Sequence, residues 1–93
     1  MESDDILLVQ QCLNGNTKAY EIIVEKYYKI IFRMAFRVLK NDDDAEEITQ
    51  IVFVKAYENL SSYNSKYKFF SWLYKITVNE SLNFIKPAEK LIL

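Results

Sequence analysis

The chain has 93 residues, of which 51% are hydrophobic and 27% charged, with one glycine, one proline, one cysteine, no histidine and a net charge of −1. That length holds one compact domain and excludes a multidomain enzyme, and so few turn residues disfavour many short strands and favour a few long helices. A lone cysteine closes no intrachain disulfide, and without histidine the usual zinc and iron sites lack ligands, so a reduced, cytoplasmic domain with no metal or cofactor is predicted.

No apolar run approaches the ~20 residues that cross a bilayer, and Met1-Glu2-Ser3-Asp4-Asp5 is unlike the basic start of a secretory signal. In chain order, the first predicted helix runs from Asp4 to about Leu13, with Ile6, Val9 and Leu13 on one stripe and Asp4 and Asp5 at its positive end. Gly15 suits a left-handed cap before a second helix that starts at Asn16 or Thr17. Tyr20, Ile23, Val24, Tyr27, Ile30, Ile31, Met34 and Val38 then recur at helical spacing.

Asn41-Asp42-Asp43-Asp44 breaks the pattern, and Asp43 with Glu46, or Asp44 with Glu47, has the spacing of a capping box. A third helix to about Leu60 places Ala45, Ile48, Val52, Ala56 and Leu60 on one face, while Ile51, Phe53 and Val54 widen the apolar arc into a candidate docking surface. Ser61 to Lys68 reads as a loop, with Ser65 as the conventional cap of a fourth helix. In that helix Phe69, Trp72, Leu73, Ile76 and Phe84 form one stripe and Phe70, Tyr74, Val78 and Leu82 a second, until Pro87 stops it after Ile85 or Lys86. The expected organisation is a compact all-α domain of three to four helices over residues 1–86, with a tail over 87–93.

The small net charge hides a pattern. Residues 17–40 carry +4, residues 41–60 carry −5, and residues 61–79 contain no acid, three lysines (Lys66, Lys68, Lys75) and six aromatic residues. Cys12 lies on an apolar helix without an activating base, and reads as a buried structural thiol. The acids from Asp42 to Glu47 fit helix capping and a solvated face better than an acid–base pair or a magnesium site, and one glycine cannot build a phosphate loop. Rings interleaved with cations are what unpaired bases require. The same rings at helical spacing also fit a core: Trp72 is read as core before base platform, and Tyr63 and Tyr67 as either exposed or folded back.

An ordered string then stands out: Asn41, Asp44 to Gln50 (Asp-Ala-Glu-Glu-Ile-Thr-Gln), Val52 to Tyr57, Asn59-Leu60, Tyr63, Phe69 to Ile76 and Asn79, preceded by Gly15-Asn16, Ala19-Tyr20-Glu21, Val24, Tyr27-Tyr28 and Arg37-Val38-Leu39. It resembles region 2 of the extracytoplasmic-function (ECF, group 4) sigma factors of the sigma-70 family. The resemblance implies docking on the β′ clamp helices of RNA polymerase through Arg37, Asp44, Glu47, Gln50 and Val54. It also implies binding of the single-stranded, non-template minus-ten promoter element by the loop and the fourth helix. On this sequence Ser62, Asn64 and Ser65 would bond base edges, Tyr63 or Tyr67 would stack, Lys66, Lys68 and Lys75 would hold phosphates, and Asn79 would approach the element. An anti-sigma factor is a further implied partner; no catalysis and no membrane association are implied.

Three departures accompany the resemblance. Ile51 stands where the family commonly has glutamate, the segment after Asn83 lacks an arginine-rich run, and no second, minus-35-reading domain is present. The chain is therefore expected to be an excised domain, a truncated product or a region-2-only regulator. The rival reading is a protein-interaction module that keeps the fold and has lost promoter binding.

Overall fold

The computed structural model describes residues 2–85, with side chains from Asp4 onward. Four helices form: α1 (Glu2–Leu13), α2 (Thr17–Leu39), α3 (Asp42–Glu58) and α4 (Phe69–Phe84), with a 3₁₀ turn at Leu60–Ser62. Lys86, Pro87 and the tail lie outside the described residues.

Local chemistry sets most of the boundaries. Gly15 sits at φ +99°, and the Gly15 N–H to Cys12 carbonyl (2.9 Å) and Asn16 N–H to Gln11 carbonyl (3.0 Å) bonds close a Schellman motif on α1. Asn16 then caps α2, its side chain accepting from the Lys18 N–H at 3.1 Å. α2 ends on Lys40 in the left-handed region (φ 56°), whose N–H donates to the Phe36 carbonyl at 2.8 Å. The cap of α3 is Asn41, which accepts from the Asp44 N–H at 2.9 Å, so neither expected capping box forms. Asp42, Asp43 and Asp44 instead occupy the first turn, where the helix dipole favours them. α4 starts on Lys68 with no side-chain cap, and Ser65 takes no part in it.

On α2, α3 and α4 the buried rows follow four-residue steps. On α2, Ala19, Ile23, Tyr27, Ile31 and Ala35 are buried, and Tyr20, Val24, Tyr28 and Phe32 beside them are half-buried. Glu21, Glu25, Lys29, Arg33 and Arg37 form an exposed charged row. Ridges at this spacing interlock with those of a neighbouring helix, so the core tracks one ridge rather than a stripe along the axis. That geometry leaves Ile30 and Val38 exposed, against expectation. On α1 the buried row is Asp5, Val9 and Cys12, while Ile6 is half-buried and Leu13 exposed. Burial pushes the Cys12 thiol above its ordinary value, as an inert structural cysteine requires.

α3 buries Ala45, Ile48, Val52 and Ala56 as expected, and adds Thr49 and Phe53. Leu60 is buried too, within the 3₁₀ turn. Thr49 and Thr77 enter the core because each hydroxyl donates to the carbonyl one turn back, Ala45 at 2.7 Å and Leu73 at 2.9 Å. The α4 core row is Phe69, Leu73, Thr77 and Ser81. Among the described residues, the Ser81 hydroxyl is a buried group with no hydrogen-bond partner. Ser81→Ala is therefore expected to raise stability by about 1 kcal/mol in urea denaturation, since it removes an unmet desolvation cost. A loss of stability would mean that the hydroxyl is satisfied.

The Tyr20 hydroxyl donates to the Phe53 carbonyl and pins α2 to α3. Burial first, then the neighbouring Cys12 and Tyr57, pushes its phenol well above the ordinary value. Because the folded state holds this proton more tightly than the unfolded chain does, Tyr20 contributes stability that is complete below about pH 10 and falls as pH rises beyond it. In alkaline denaturation Tyr20→Phe is expected to lose stability less steeply above about pH 10 than the unmodified chain; parallel curves would remove Tyr20 as the cause.

Candidate nucleic-acid and protein interface

Two surfaces flank the core. The first is the outer face of α3. Glu47, Gln50 and Val54 are exposed there, Val54 to 56%, whereas Asp44 is half-buried in the capped first turn. Arg37 is exposed in the last turn of α2. The widened apolar arc divides: Phe53 joins the core, Ile51 is half-buried against it, and Val54 alone of the three stays outside. Beside this face, Tyr28, Lys29, Phe32, Arg33 and Glu46 line an open groove of about 500 Å³ between α2 and α3. Tyr20, Phe53, Val54, Tyr57 and Glu58 line a second, of about 460 Å³.

The second surface is the segment between the 3₁₀ turn and α4. It is ordered by its own short bonds. The Ser62 hydroxyl donates to the Asn59 carbonyl (2.7 Å), Asn64 Oδ1 accepts from the Lys66 N–H (3.0 Å), and the Tyr67 N–H donates to the Asn64 carbonyl (3.1 Å). Tyr63 folds back: its ring meets Phe69 edge-on at 5.3 Å and Trp72 at 5.6 Å, and its hydroxyl donates to the Tyr67 carbonyl. Tyr67 is 67% exposed. Trp72 is half-buried, packed on Tyr63 and Phe69, in keeping with its reading as core.

Ser62, Asn64, Ser65, Lys66 and Lys68 are all exposed around Tyr67. Lys75 and Asn79 lie on the exposed polar row of α4, with Ser71 and Asn83. The surface thus combines the outward ring of Tyr67, lysines and short polar side chains with no acid between residues 61 and 79. It can stack on a flat face and hold phosphates, and it has no nucleophile–base pair. Among the described residues no group of three His, Cys, Asp or Glu side chains is placed to hold a metal ion, and no helix is long and apolar enough to cross a membrane.

The sequence reading missed Asp5. It is only 2% exposed, paired with Lys26 Nζ at 2.6 Å and with the Tyr27 hydroxyl. Its spacing of four and seven residues from Val9 and Cys12 is the signal that places it on the buried row.

This fold and this pair of surfaces define a small four-helix module with an outer α3 face and an acid-free, lysine- and tyrosine-bearing loop, and comparison with known proteins gives its family. The Sigma-70 region 2 family profile matches residues 23–90, and the chain belongs to that family. The ECF RNA polymerase sigma factor SigW of Bacillus subtilis (strain 168) is 35% identical over 81 residues, which cover 87% of this chain and 43% of SigW. The ECF RNA polymerase sigma-E factor of Escherichia coli (strain K12) is 31% identical over 81 residues, 87% of this chain and 42% of the relative. The chain therefore spans less than half the length of these curated relatives. Among solved structures, an engineered region 2 of sigmaE in complex with GTAAAA superposes with a TM-score of 0.79 at 32% identity, covering 84% of this chain and 81% of that one. CnrH in complex with the cytosolic domain of CnrY shares the fold, with a TM-score of 0.74 at 24% identity over 92% of this chain and 58% of that one.

Proposed function

We propose that this chain is the part of an ECF sigma factor that docks on the β′ clamp helices of RNA polymerase and holds the unpaired minus-ten strand of a promoter, acting in the cytoplasm without catalysis of its own. The observation that carries the reading is the outward Tyr67 among Asn64, Ser65, Lys66 and Lys68, on a fold it shares with a region 2 of sigmaE in complex with GTAAAA. Tyr67 supplies the stacking platform, worth about 1–3 kcal/mol per base. Ser62, Asn64 and Ser65 offer short polar groups to base edges; Lys66, Lys68 and Lys75 supply phosphate contacts, and Asn79 extends the surface along α4. Tyr63 serves the loop by bracing it rather than by stacking on a base.

Unstacking a base costs a few kcal/mol, so capture of an extruded base offsets part of strand opening without a catalytic group. Docking falls to Arg37, Asp44, Glu47, Gln50 and Val54, which present a guanidinium, two acids, an amide and an apolar side chain to a basic, amphipathic helix pair. An anti-sigma factor would compete for the same exposed face.

Two variant pairs separate these roles. Lys66→Ala with Tyr67→Ala is expected to weaken binding of a single-stranded minus-ten strand roughly tenfold or more, and to leave binding to isolated β′ clamp helices unchanged. Glu47→Ala with Gln50→Ala is expected to do the reverse, read by titration calorimetry against each partner. Loss of clamp binding in the first pair, or unchanged strand binding there, would favour the rival interaction module without promoter recognition.

A further inference from the structure

α4 begins directly after the loop on a residue without a side-chain cap, a weak way to fix a helix start that must present a binding surface. Its first turn rests instead on rings. Tyr27 of α2 stacks on Phe70 at 5.7 Å and lies 6.0 Å from Phe69. Phe69 meets Tyr63, whose hydroxyl holds the Tyr67 carbonyl. At the other end of this chain of contacts, the Tyr27 hydroxyl donates to the buried carboxylate of Asp5 on α1. A hydrogen bond to a carboxylate is stronger than one between neutral groups and fixes both the position and the tilt of the ring that makes it. Close-packed rings then pass a tilt on rather than absorb it.

We infer that Asp5, through the Tyr27 hydroxyl, is a positioning residue for the loop over 63–68: it sets the ring on which the first turn of α4 rests, and so the presentation of Tyr67. The inference rests on the proposed reading only where a nucleic-acid strand is the readout. α1 thereby gains a role in strand binding although it supplies no residue to that surface.

The test uses the full 93-residue chain and Tyr27→Phe, which keeps the ring and removes the hydroxyl, with Asp5→Asn as the second variant and Ile23→Val as a core control outside this chain of contacts. At a temperature where circular dichroism shows each protein folded, Tyr27→Phe and Asp5→Asn are expected to shift the backbone amide resonances of residues 63–69, to change the emission of Trp72, the sole tryptophan, and to weaken binding of the single-stranded hexamer GTAAAA at least fivefold. Ile23→Val is expected to do none of these. Unchanged resonances over 63–69 in a folded variant would overturn the inference, whatever the hexamer does. If the unmodified chain binds no strand, the loop reading falls while the resonances still decide the positioning role. Hydrogen exchange on the unmodified chain covers the case of variants that do not fold: the Tyr67, Ser71 and Trp72 amides are expected to open together with α1. Protection that outlasts the opening of α1 would overturn the inference.

Discussion

Lys26→Met is expected to lower the unfolding free energy by about 3 kcal/mol, the range seen when one partner of a buried ion pair is removed. The reason is the asymmetry of the pair. The Asp5 side chain is 3% exposed, so its carboxylate cannot regain water when the ammonium 2.6 Å away is deleted. Methionine keeps the apolar stem of Lys26 and removes only the charge, which isolates the electrostatic cost from lost packing. In a domain whose total stability is of order 5–15 kcal/mol, that loss corresponds to a fall of roughly 10 °C or more in Tm. Replacing both partners, Lys26→Met with Asp5→Leu, is expected to recover only part of it, because no buried charge is then left unpaired but the hydrogen bond from the Tyr27 hydroxyl to Asp5 is lost. Urea denaturation of the single and double variants checks both statements. A loss below about 0.5 kcal/mol in the single variant would class this pair with exposed ion pairs.

The second large effect belongs to Phe69. Its ring is fully buried and touches Tyr27, Tyr63 and Trp72, three rings held by partners of their own that cannot collapse into the space it leaves. Phe69→Ala is expected to cost about 3–5 kcal/mol, the range for deleting a buried aromatic side chain. It also removes the floor beneath Tyr63, so the loop should lose order before the helices melt. Tyr67→Ala, two residues away but exposed, is expected to change stability by less than about 0.5 kcal/mol. Denaturation curves for the two variants should therefore differ widely. Similar midpoints would mean that the aromatic cluster does not carry the start of α4.

The elements that could be read in the sequence are those with strong local chemistry. The Gly15 cap, the length of α2, the core face of α3 and the end of the fourth helix before Pro87 follow from turn residues and periodicity, and residues 2–85 show the first three. Most of the misread positions share a cause. Helical spacing fits a stripe along the axis, but on α2 and α4 the packed rows run along four-residue ridges, so Ile30 and Val38 are exposed while Thr77 and Ser81 are buried. Asp5, a charge near a helix start, has the helix dipole as a simple local explanation. Its real partners are on α2, more than twenty residues away, and no local rule finds them. Likewise Asn41, not an aspartate, caps α3, since it is the residue with extended backbone beside the acids.

For the site, composition isolated the acid-free, lysine- and tyrosine-bearing stretch, and the ordered string of residues indicated the family. The division of labour between Tyr63 and Tyr67 was not legible. Both are loop tyrosines four residues apart, and only the position of Phe69 and Trp72 in three dimensions decides that one ring turns in and the other out.

In the proposed function the loop beside α4 holds an unpaired strand while the outer face of α3 remains free for a protein. Amide chemical-shift mapping of the 93-residue chain with single-stranded GTAAAA, repeated with the same sequence as a duplex, tests it most directly. Perturbations are expected at residues 62–68, Lys75 and Asn79 with the single strand, weakening as salt rises, far smaller ones with the duplex, and none at Glu47, Gln50 or Val54. Perturbations centred on α3, or equal responses to the single strand and the duplex, would contradict it.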